Sequence, residues 1–549
     1  MSSQATSQLV VGHHPGSDSG KTLETSMPAE VMNQKLVMLE EIRAIHIHSS
    51  GGSSTEAKNE ADDAGTRVAQ PDAIANRVSR RIGWVKAAIL MVAETMSLGI
   101  MSLPQAMNSL GMIVGAILIC FCGVLSVLSG LLLWKVKLKV PEVASYCDIM
   151  NKMYGRKGTW MSTTNNGTIL ILVMAAHIIT WTEMVDVLSN GNTPCLVYIK
   201  AAGAFGMASL SLPKLLRSSM PLYYVAAGSI VTASFILIIG GGLTYEDLGA
   251  KSAFLIVPLR LLKFSAVASN ISNVMISYAG HVAYFQIMDE MKNVNDFWKS
   301  LCLANGVIGM MYFLIAVVGY KFFGQDVASP ALSSASPMIR KWAWGISIPT
   351  IIVAGVIAAF ILNHDILELI WSKEQLSHDE AKTTSIPNIV DEEKDATGNQ
   401  TNIQLQNSVN SSSMLSYKNE WIGRVLINAA TWIAAFVLSN VIPDFGNLMG
   451  LMGSLVGWTI AIGQPALFWL WTEWNPVKSE SNNKVLWKES IQRSYFHHYS
   501  TAFWLCFCVC MLVIWPVAAV TGVYGSGVLI QEAHAKNGAF SCNTISLMR

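Results

Sequence analysis

The chain has 549 residues, only 13% of them charged and 52% apolar, with a net charge of +1. A soluble protein carries about 25% charged residues, so this composition excludes an ordinary soluble enzyme. No basic cluster stands out, which excludes a nucleic-acid-binding surface.

Residues 1–76 are polar, rich in Ser, Gly and Ala, and lack an early apolar core. They read as a disordered cytoplasmic tail with one short helix near 33–47, and not as a signal peptide. From Trp84 to Tyr524 apolar stretches recur, each about 20 residues long and able to cross about 30 Å of hydrocarbon. They predict an all-α polytopic membrane protein with about 11 transmembrane helices. The spans fall near 84–109, 111–134, 164–188, 195–212, 219–240, 263–288, 300–320, 343–371, 421–441, 446–472 and 501–524. They are called spans 1 to 11 below, and span 4 is short. The transmembrane domain covers 77–525 and is interrupted by a polar cytoplasmic insert at 372–420, rich in Ser, Asn, Asp and Lys and predicted to be unstructured; 526–549 is a C-terminal tail. Lysine and arginine concentrate on the side where span 1 begins, which places the N-terminus in the cytoplasm and the C-terminus outside. Cys120, Cys122, Cys506, Cys508 and Cys510 lie inside apolar runs without CxxC spacing and read as small hydrophobes, not metal ligands. Cys195 and Cys542 are the two that can meet outside the membrane, and on balance they are expected to stay unpaired.

Span 1 carries Glu94-Thr95-Met96-Ser97-Leu98-Gly99-Ile100, and span 6 carries Ser277-Tyr278-Ala279-Gly280-His281. Each has a glycine among small or polar residues near its midpoint. Glycine weakens a helix by about 1 kcal/mol, and a freed backbone group in lipid costs several kcal/mol unless it is satisfied. A break at that depth must therefore line a cavity or serve close helix packing. The two breaks are five spans apart, in matching places of two five-helix halves, and paired interruptions of this kind point to a transport site.

These residues also resemble a known family. The stretch from Ser97 to Pro104 is similar to the first-helix motif of the amino acid/auxin permease family. Tyr278 to Gln286, followed by Asp289-Glu290-Met291-Lys292-Asn293, is similar to its sixth-helix motif. Ala328-Ser329-Pro330-Ala331-Leu332 and Ile348 to Gly355 resemble the fungal branch of methyltryptophan-resistance-type neutral amino acid permeases. The resemblance covers residues 80–525. It implies a leucine-transporter-like 5+5 inverted repeat with helices 1 and 6 broken, plus one extra helix. It also implies proton- or sodium-coupled amino acid transport, and the insert at 372–420 is longer than the family's usual connection there.

A zwitterionic substrate needs an anion site and a cation site in a dry place. The half-helix restarting after Gly99 offers free N–H groups to a carboxylate. Carbonyls around Thr95 to Ser97 and Ser277 to Ala279 can accept from an ammonium, and Gly280 belongs to the same expected substrate site. Ile100, Tyr278 and residues of span 3, His177 and Trp181 among them, are expected along the substrate side chain; Trp181 fits packing against lipid equally well. Glu94 lies about 15 Å into span 1, near the midplane, where a carboxylate is either functional or held by a neighbouring helix. It is the first choice for proton coupling. His281 is the second, with a satisfied core histidine as its alternative. Ser347 and Thr350 on span 8 can help to hold sodium, but a midplane carboxylate favours H+. No cofactor or metal is expected. Glu183 and Asp186 read as interfacial residues, and Lys200 reads as snorkelling to the surface. In the fold that the resemblance implies, the inner ends of spans 1 and 8 come together when the transporter faces outward, so Arg81, beside Arg80, and Asp365 and Glu368 can form an inner gate or simply mark topology.

The expected function is secondary active transport of neutral, including aromatic, amino acids by a proton symporter. The alternatives are vacuolar import or export within the same family, or a transceptor. The expected partners are the small amino acid substrate, the lipid bilayer, and cytoplasmic regulators on the tail and the insert. The plasma membrane is favoured over the vacuole. A membrane enzyme is not expected: His364-Asp365 and His497-His498 are lone pairs, and there is no HExxH motif.

Overall fold

A chain crossing hydrocarbon must satisfy its own backbone, and long apolar runs can do so only as helices or as a closed barrel. The computed structural model takes the helical route. It describes residues 82–212, 220–243, 255, 256, 263–384, 400–475, 499–538, 540 and 542. These belong to a unit spanning Arg77–Arg549; the unit Met1–Asn76, with the expected tail, lies outside the described residues. Among the described residues the regular structure is helical, apart from one isolated parallel bridge between Ile82 and Met291.

Eight helices among the described residues are each long and apolar enough to cross a membrane, and the bent pair Trp84–Thr95 with Gly99–Leu110 makes a ninth. The expected spans 4 and 6 complete the series. Span 4 is the helix Leu196–Ser211, at 16 residues only about 24 Å long. Span 6 is built from Phe264–Ser277, a 3-10 turn at Gly280–Ala283, and Tyr284–Glu290. Span 3, Arg156–Leu188, packs chiefly on span 8, which lies within Ile348–Thr384; span 7, Phe297–Phe323, packs on spans 1 and 2. Span 10 runs as Phe445–Met452, two π-helical segments, and Gln464–Trp474. It presses on span 6 so closely that a Cβ at Gly453 would lie 1.9 Å from the Ser272 carbonyl oxygen. Lipid supplies no hydrophobic drive between helices, so such backbone-to-backbone packing is what holds these spans together.

The structure differs from the sequence expectations in four places. The insert is helical at both ends: Ile348–Thr384 runs on past residue 372, and Gln400–Val441 begins at residue 400. Residues 372–384 and 400–420 contain neither glycine nor proline, and helices already nucleated in the membrane extend through them at little cost. The C-terminal tail begins as a continuation of the last helix, Tyr499–Asn537. Cys195 and Cys542 form a disulfide, because this tail returns to the start of span 4.

The fourth difference concerns charge. Glu183, Asp186 and Lys200 are buried, not interfacial, at 5%, 4% and 7% exposure. Span 4 is wedged among spans 3, 8 and 9. Lys200 therefore does not reach the surface; its ammonium donates to the Ser439 carbonyl on span 9 at 2.7 Å. Glu183 accepts from the Ser333 hydroxyl at 3.4 Å, and Lys200, Asp444 and Asp186 are its charged neighbours. Asp186 accepts from Thr193 at 2.7 Å, and Asp444 caps span 10 by accepting from the Asn447 amide at 2.7 Å.

Candidate functional site

The first half of span 1 ends at Thr95. Met96 and the Ser97 that follows adopt extended backbone before a 3-10 turn at Leu98–Ser102 restarts the helix, which leaves the axis bent by 52°. Pro104 in the first turn of Leu103–Leu110 suits that restart, since it has no amide to satisfy. The first half of span 6 ends at Ser277, and Tyr278 and Ala279 leave the helix. The two breaks touch. A Cβ at Gly280 would stand 2.2 Å from Thr95 Oγ1, so the approach of one break to the other requires glycine.

Each break frees carbonyls, and each freed carbonyl has to be accounted for. The Ser102 hydroxyl donates to the Gly99 carbonyl at 2.7 Å. The Tyr312 hydroxyl on span 7 lies 2.7 Å from the Ser277 carbonyl and 3.2 Å from the Thr95 carbonyl, the last carbonyl of each first half-helix. Tyr312 is fully buried, with its ring edge-on to Tyr278 at 5.0 Å between centroids.

In front of the breaks lies a cavity of about 340 Å³. Span 1 contributes Ala93 to Ser97 and Gly99. Span 6 contributes Ile276, Ser277, Ala279, Gly280, Val282, Ala283 and Gln286. Span 3 contributes six residues from Asn166 to His177. Spans 5, 8 and 10 close it with Ala226, Ala227, Thr350, Ala354, Phe445 and Met449 among others. Most of this wall is apolar. Glu94 is exposed within the space, and Asp365, Gln286 and Asn166 line it further along. These four lie on the side of the breaks toward the face on which span 1 begins, so the cavity reaches that way.

The structure brings Glu94, Thr95, Ser97, Gly99, Ser277 and Gly280 onto this one cavity. It does not bring Ile100, Tyr278, Trp181 or His281 there. Ile100 is fully buried, and Tyr278, where the helix breaks, turns toward span 2, its hydroxyl 3.3 Å from where a Cβ at Gly123 would be. Trp181 faces span 4, its ring filling the space over Gly203, where a Cβ would lie 2.3 Å away. Of the two span 3 residues named above, it is His177, one turn earlier, that lines the cavity. His281 is fully buried behind the break, its Nε2 2.8 Å from the Ser129 hydroxyl and 3.2 Å from the Ser126 carbonyl. It is tied to span 2 as a core histidine would be. Of the two span 8 hydroxyls, Ser347 donates to the Ala343 carbonyl at 2.8 Å, and Thr350 donates to the Ala226 carbonyl on span 5. Among the described residues no group of three or more His, Cys, Asp or Glu is placed to hold a metal ion.

Asp365 lines the cavity, whereas Arg81 and the side chain of Glu368 lie outside the described residues. The entry to span 1 is anchored to span 6 and its neighbour. The Ile82 amide donates to the Glu290 carbonyl at 2.8 Å, the Lys292 amide donates to the Ile82 carbonyl at 2.9 Å, and the Ser300 hydroxyl donates to the Trp84 carbonyl at 2.8 Å. Beside this strap Lys137 on span 2 pairs with Asp289 and also donates to the Val143 carbonyl at 2.6 Å. Tyr312 and this strap had no sequence signal, because both rest on groups brought together from distant helices.

The family described as transmembrane amino acid transporter protein matches residues 80–521. The chain is 27% identical over 413 residues to the N amino acid transport system protein of Neurospora crassa, covering 74% of this chain and 80% of that one. It is 22% identical over 405 residues to amino acid transporter AVT1H of Arabidopsis thaliana, covering 72% of this chain and 83% of that one. Among solved structures it is similar to MhsT in complex with L-phenylalanine, at 12% identity and a TM-score of 0.44, over 81% of this chain and 98% of that one. The family match spans most of the length and contains both broken helices: this chain belongs to the transmembrane amino acid transporter family, an integral membrane transporter and not an enzyme.

Proposed function

We propose that this chain is a secondary active transporter of neutral amino acids, built on a leucine-transporter-like 5+5 repeat and coupled to protons through Glu94. One observation carries the reading: a cavity of about 340 Å³ is bounded by both broken helices and has Glu94 on its wall. That volume is at the low end for ligand cavities and suits a molecule of amino acid size. The largely apolar walls from spans 3, 5 and 8 suit an uncharged side chain. A carboxylate near the midplane that water can reach along the cavity is able to gain and lose a proton during a transport cycle.

The cavity runs toward the face where span 1 begins, which the lysine and arginine bias assigns to the cytoplasm. The Cys195–Cys542 disulfide lies at the opposite ends of the spans, which suits an exterior or luminal face. On this reading the cavity extends toward the inside, and Glu94 releases its proton there. The fungal resemblance favours the plasma membrane over the vacuole.

A second reading has a specific observation behind it. Glu94 and Asp365 line the same cavity, and among the described residues no lysine or arginine does. Two carboxylates suit a cationic amino acid. Counterflow with labelled amino acids in proteoliposomes separates the two. Phenylalanine, leucine and glutamine are expected to exchange, and lysine is not. Exchange of lysine uncompeted by phenylalanine or leucine would overturn the neutral reading, and accumulation driven by sodium but indifferent to pH would overturn proton coupling.

A further inference from the structure

Tyr312 stands behind the breaks with one hydroxyl proton and two freed carbonyls. Its oxygen is 2.7 Å from Ser277 O and 3.2 Å from Thr95 O. An O–H···O bond is ordinarily 2.5–3.0 Å long, most often near 2.7 Å. The proton therefore belongs to Ser277, and the Thr95 carbonyl keeps only a weak share. A carbonyl left short of a donor in a membrane interior is costly, and it is a place where an ammonium group gains a charge-assisted hydrogen bond. Thr95 lines the cavity; Tyr312 does not, and it is fully buried. The remaining contacts of the seam leave little slack, since Thr95 Oγ1 is pressed onto Gly280 and the Ser277 hydroxyl donates to the Asn273 carbonyl at 3.1 Å.

We infer that Tyr312 is a positioning residue for the substrate's α-ammonium: by holding the Ser277 carbonyl it fixes the seam between the two breaks and leaves the Thr95 carbonyl as the acceptor for that ammonium. The inference rests on the reading of the cavity as the amino acid site, and it assigns the work of two carbonyls that look equivalent in the sequence. It also gives the hydroxyl a second position. If the ammonium leaves while Ser277 shifts, the same proton can pass to Thr95.

The test compares an amino acid with its deaminated analogue, which keeps the carboxylate and the side chain and lacks the ammonium. Phenylalanine and 3-phenylpropionate are competed against labelled phenylalanine in counterflow, with wild type and Tyr312→Phe. The wild type should prefer phenylalanine. In Tyr312→Phe the ring stays packed on Tyr278, phenylalanine should weaken by about tenfold, and phenylpropionate should be unchanged, so their ratio falls by about tenfold. A purely structural role would weaken both alike and leave the ratio where it was, and that result overturns the inference. Should the phenylalanine variant fail to fold, Tyr312→His, which keeps a ring donor on a shorter arm, should still lower the ratio by a smaller factor. An unchanged ratio there also overturns the inference. Ala354→Trp, which fills the cavity from span 8, separates the layers. If it leaves transport intact, the cavity reading itself fails. If it abolishes transport while Tyr312→Phe keeps the wild-type ratio, only the role of Tyr312 fails.

Discussion

Two carboxylates of the transmembrane region, Glu94 and Glu183, solve the same problem in opposite ways. Glu94 is exposed to a cavity, and water can solvate it there. Glu183 is 5% exposed and sits among Lys200, Asp444 and Asp186, with the Ser333 hydroxyl as its hydrogen-bond donor. The first is solvated by space and the second by neighbours. A carboxylate solvated by space can change its charge without disturbing the packing, whereas one solvated by neighbours cannot lose any of them cheaply.

The contrast predicts unequal mutants. The largest effect is expected at Lys200. Lys200→Met removes the cation that neighbours Glu183 among the described residues and also strips the Ser439 carbonyl of its donor; a buried charge left without its compensating neighbour, together with an unmet carbonyl, costs about 3 kcal/mol or more. The purified protein should unfold at a clearly lower temperature, and adding Glu183→Gln should recover most of the loss. An unaltered melting curve in the single variant would break the comparison. Next comes Gly280→Ala, at the floor of the cavity. The new methyl group would meet Thr95 Oγ1 at 2.2 Å, and Thr95 is β-branched and has little rotamer freedom with which to yield. A cost of about 1–3 kcal/mol and a loss of substrate exchange are expected, with partial rescue by Thr95→Ala. Exchange at the wild-type rate in the single variant would show that the seam has slack.

Glu94→Gln sharpens the comparison from the other side. Its melting temperature should match the wild type, while accumulation driven by a pH gradient should disappear and exchange at equal pH should persist. The smallest effect is expected outside the membrane. Lys152 bonds to the exposed Glu142 and holds its carboxyl below the usual carboxylate range, by hydrogen bond first and by charge second. A carboxyl lowered in this way adds stability that is present at neutral pH and lost as pH falls through the lowered value. Glu142→Gln should change neither uptake nor unfolding measurably at neutral pH, and any small difference from wild type should vanish in acid.

The spans and both breaks were legible in the sequence because they depend on local quantities: runs of apolar residues, and glycine among small polar neighbours. Thr95, Ser97, Gly99, Ser277 and Gly280 reach the cavity because the breaks themselves form its floor. The expectation was weaker wherever a helix face had to be chosen. Trp181 and His177 are one turn apart, yet one packs on Gly203 and the other lines the cavity. Tyr278 is adjacent to Ser277, but the break rotates it toward span 2. Lys200 illustrates a different limit. Lysine in a short span ordinarily extends to the surface, and only the packing of spans 3, 8 and 9 around it shows that it does not. Tyr312 carries no local mark at all, being one of two tyrosines in a long apolar helix.

The strap at Ile82 has a consequence for how such a protein can be dissected. The bonds from Ile82 to Glu290 and Lys292 run between main-chain groups only. Scanning this segment with alanine would leave them in place, and the residues around Ile82 are free to drift in identity without loosening the tie. Only a change to the backbone reaches it, such as proline at Ile82, which deletes the donated amide. The contact that joins the entry of the first helix to the exit of the sixth is thus silent to side-chain genetics.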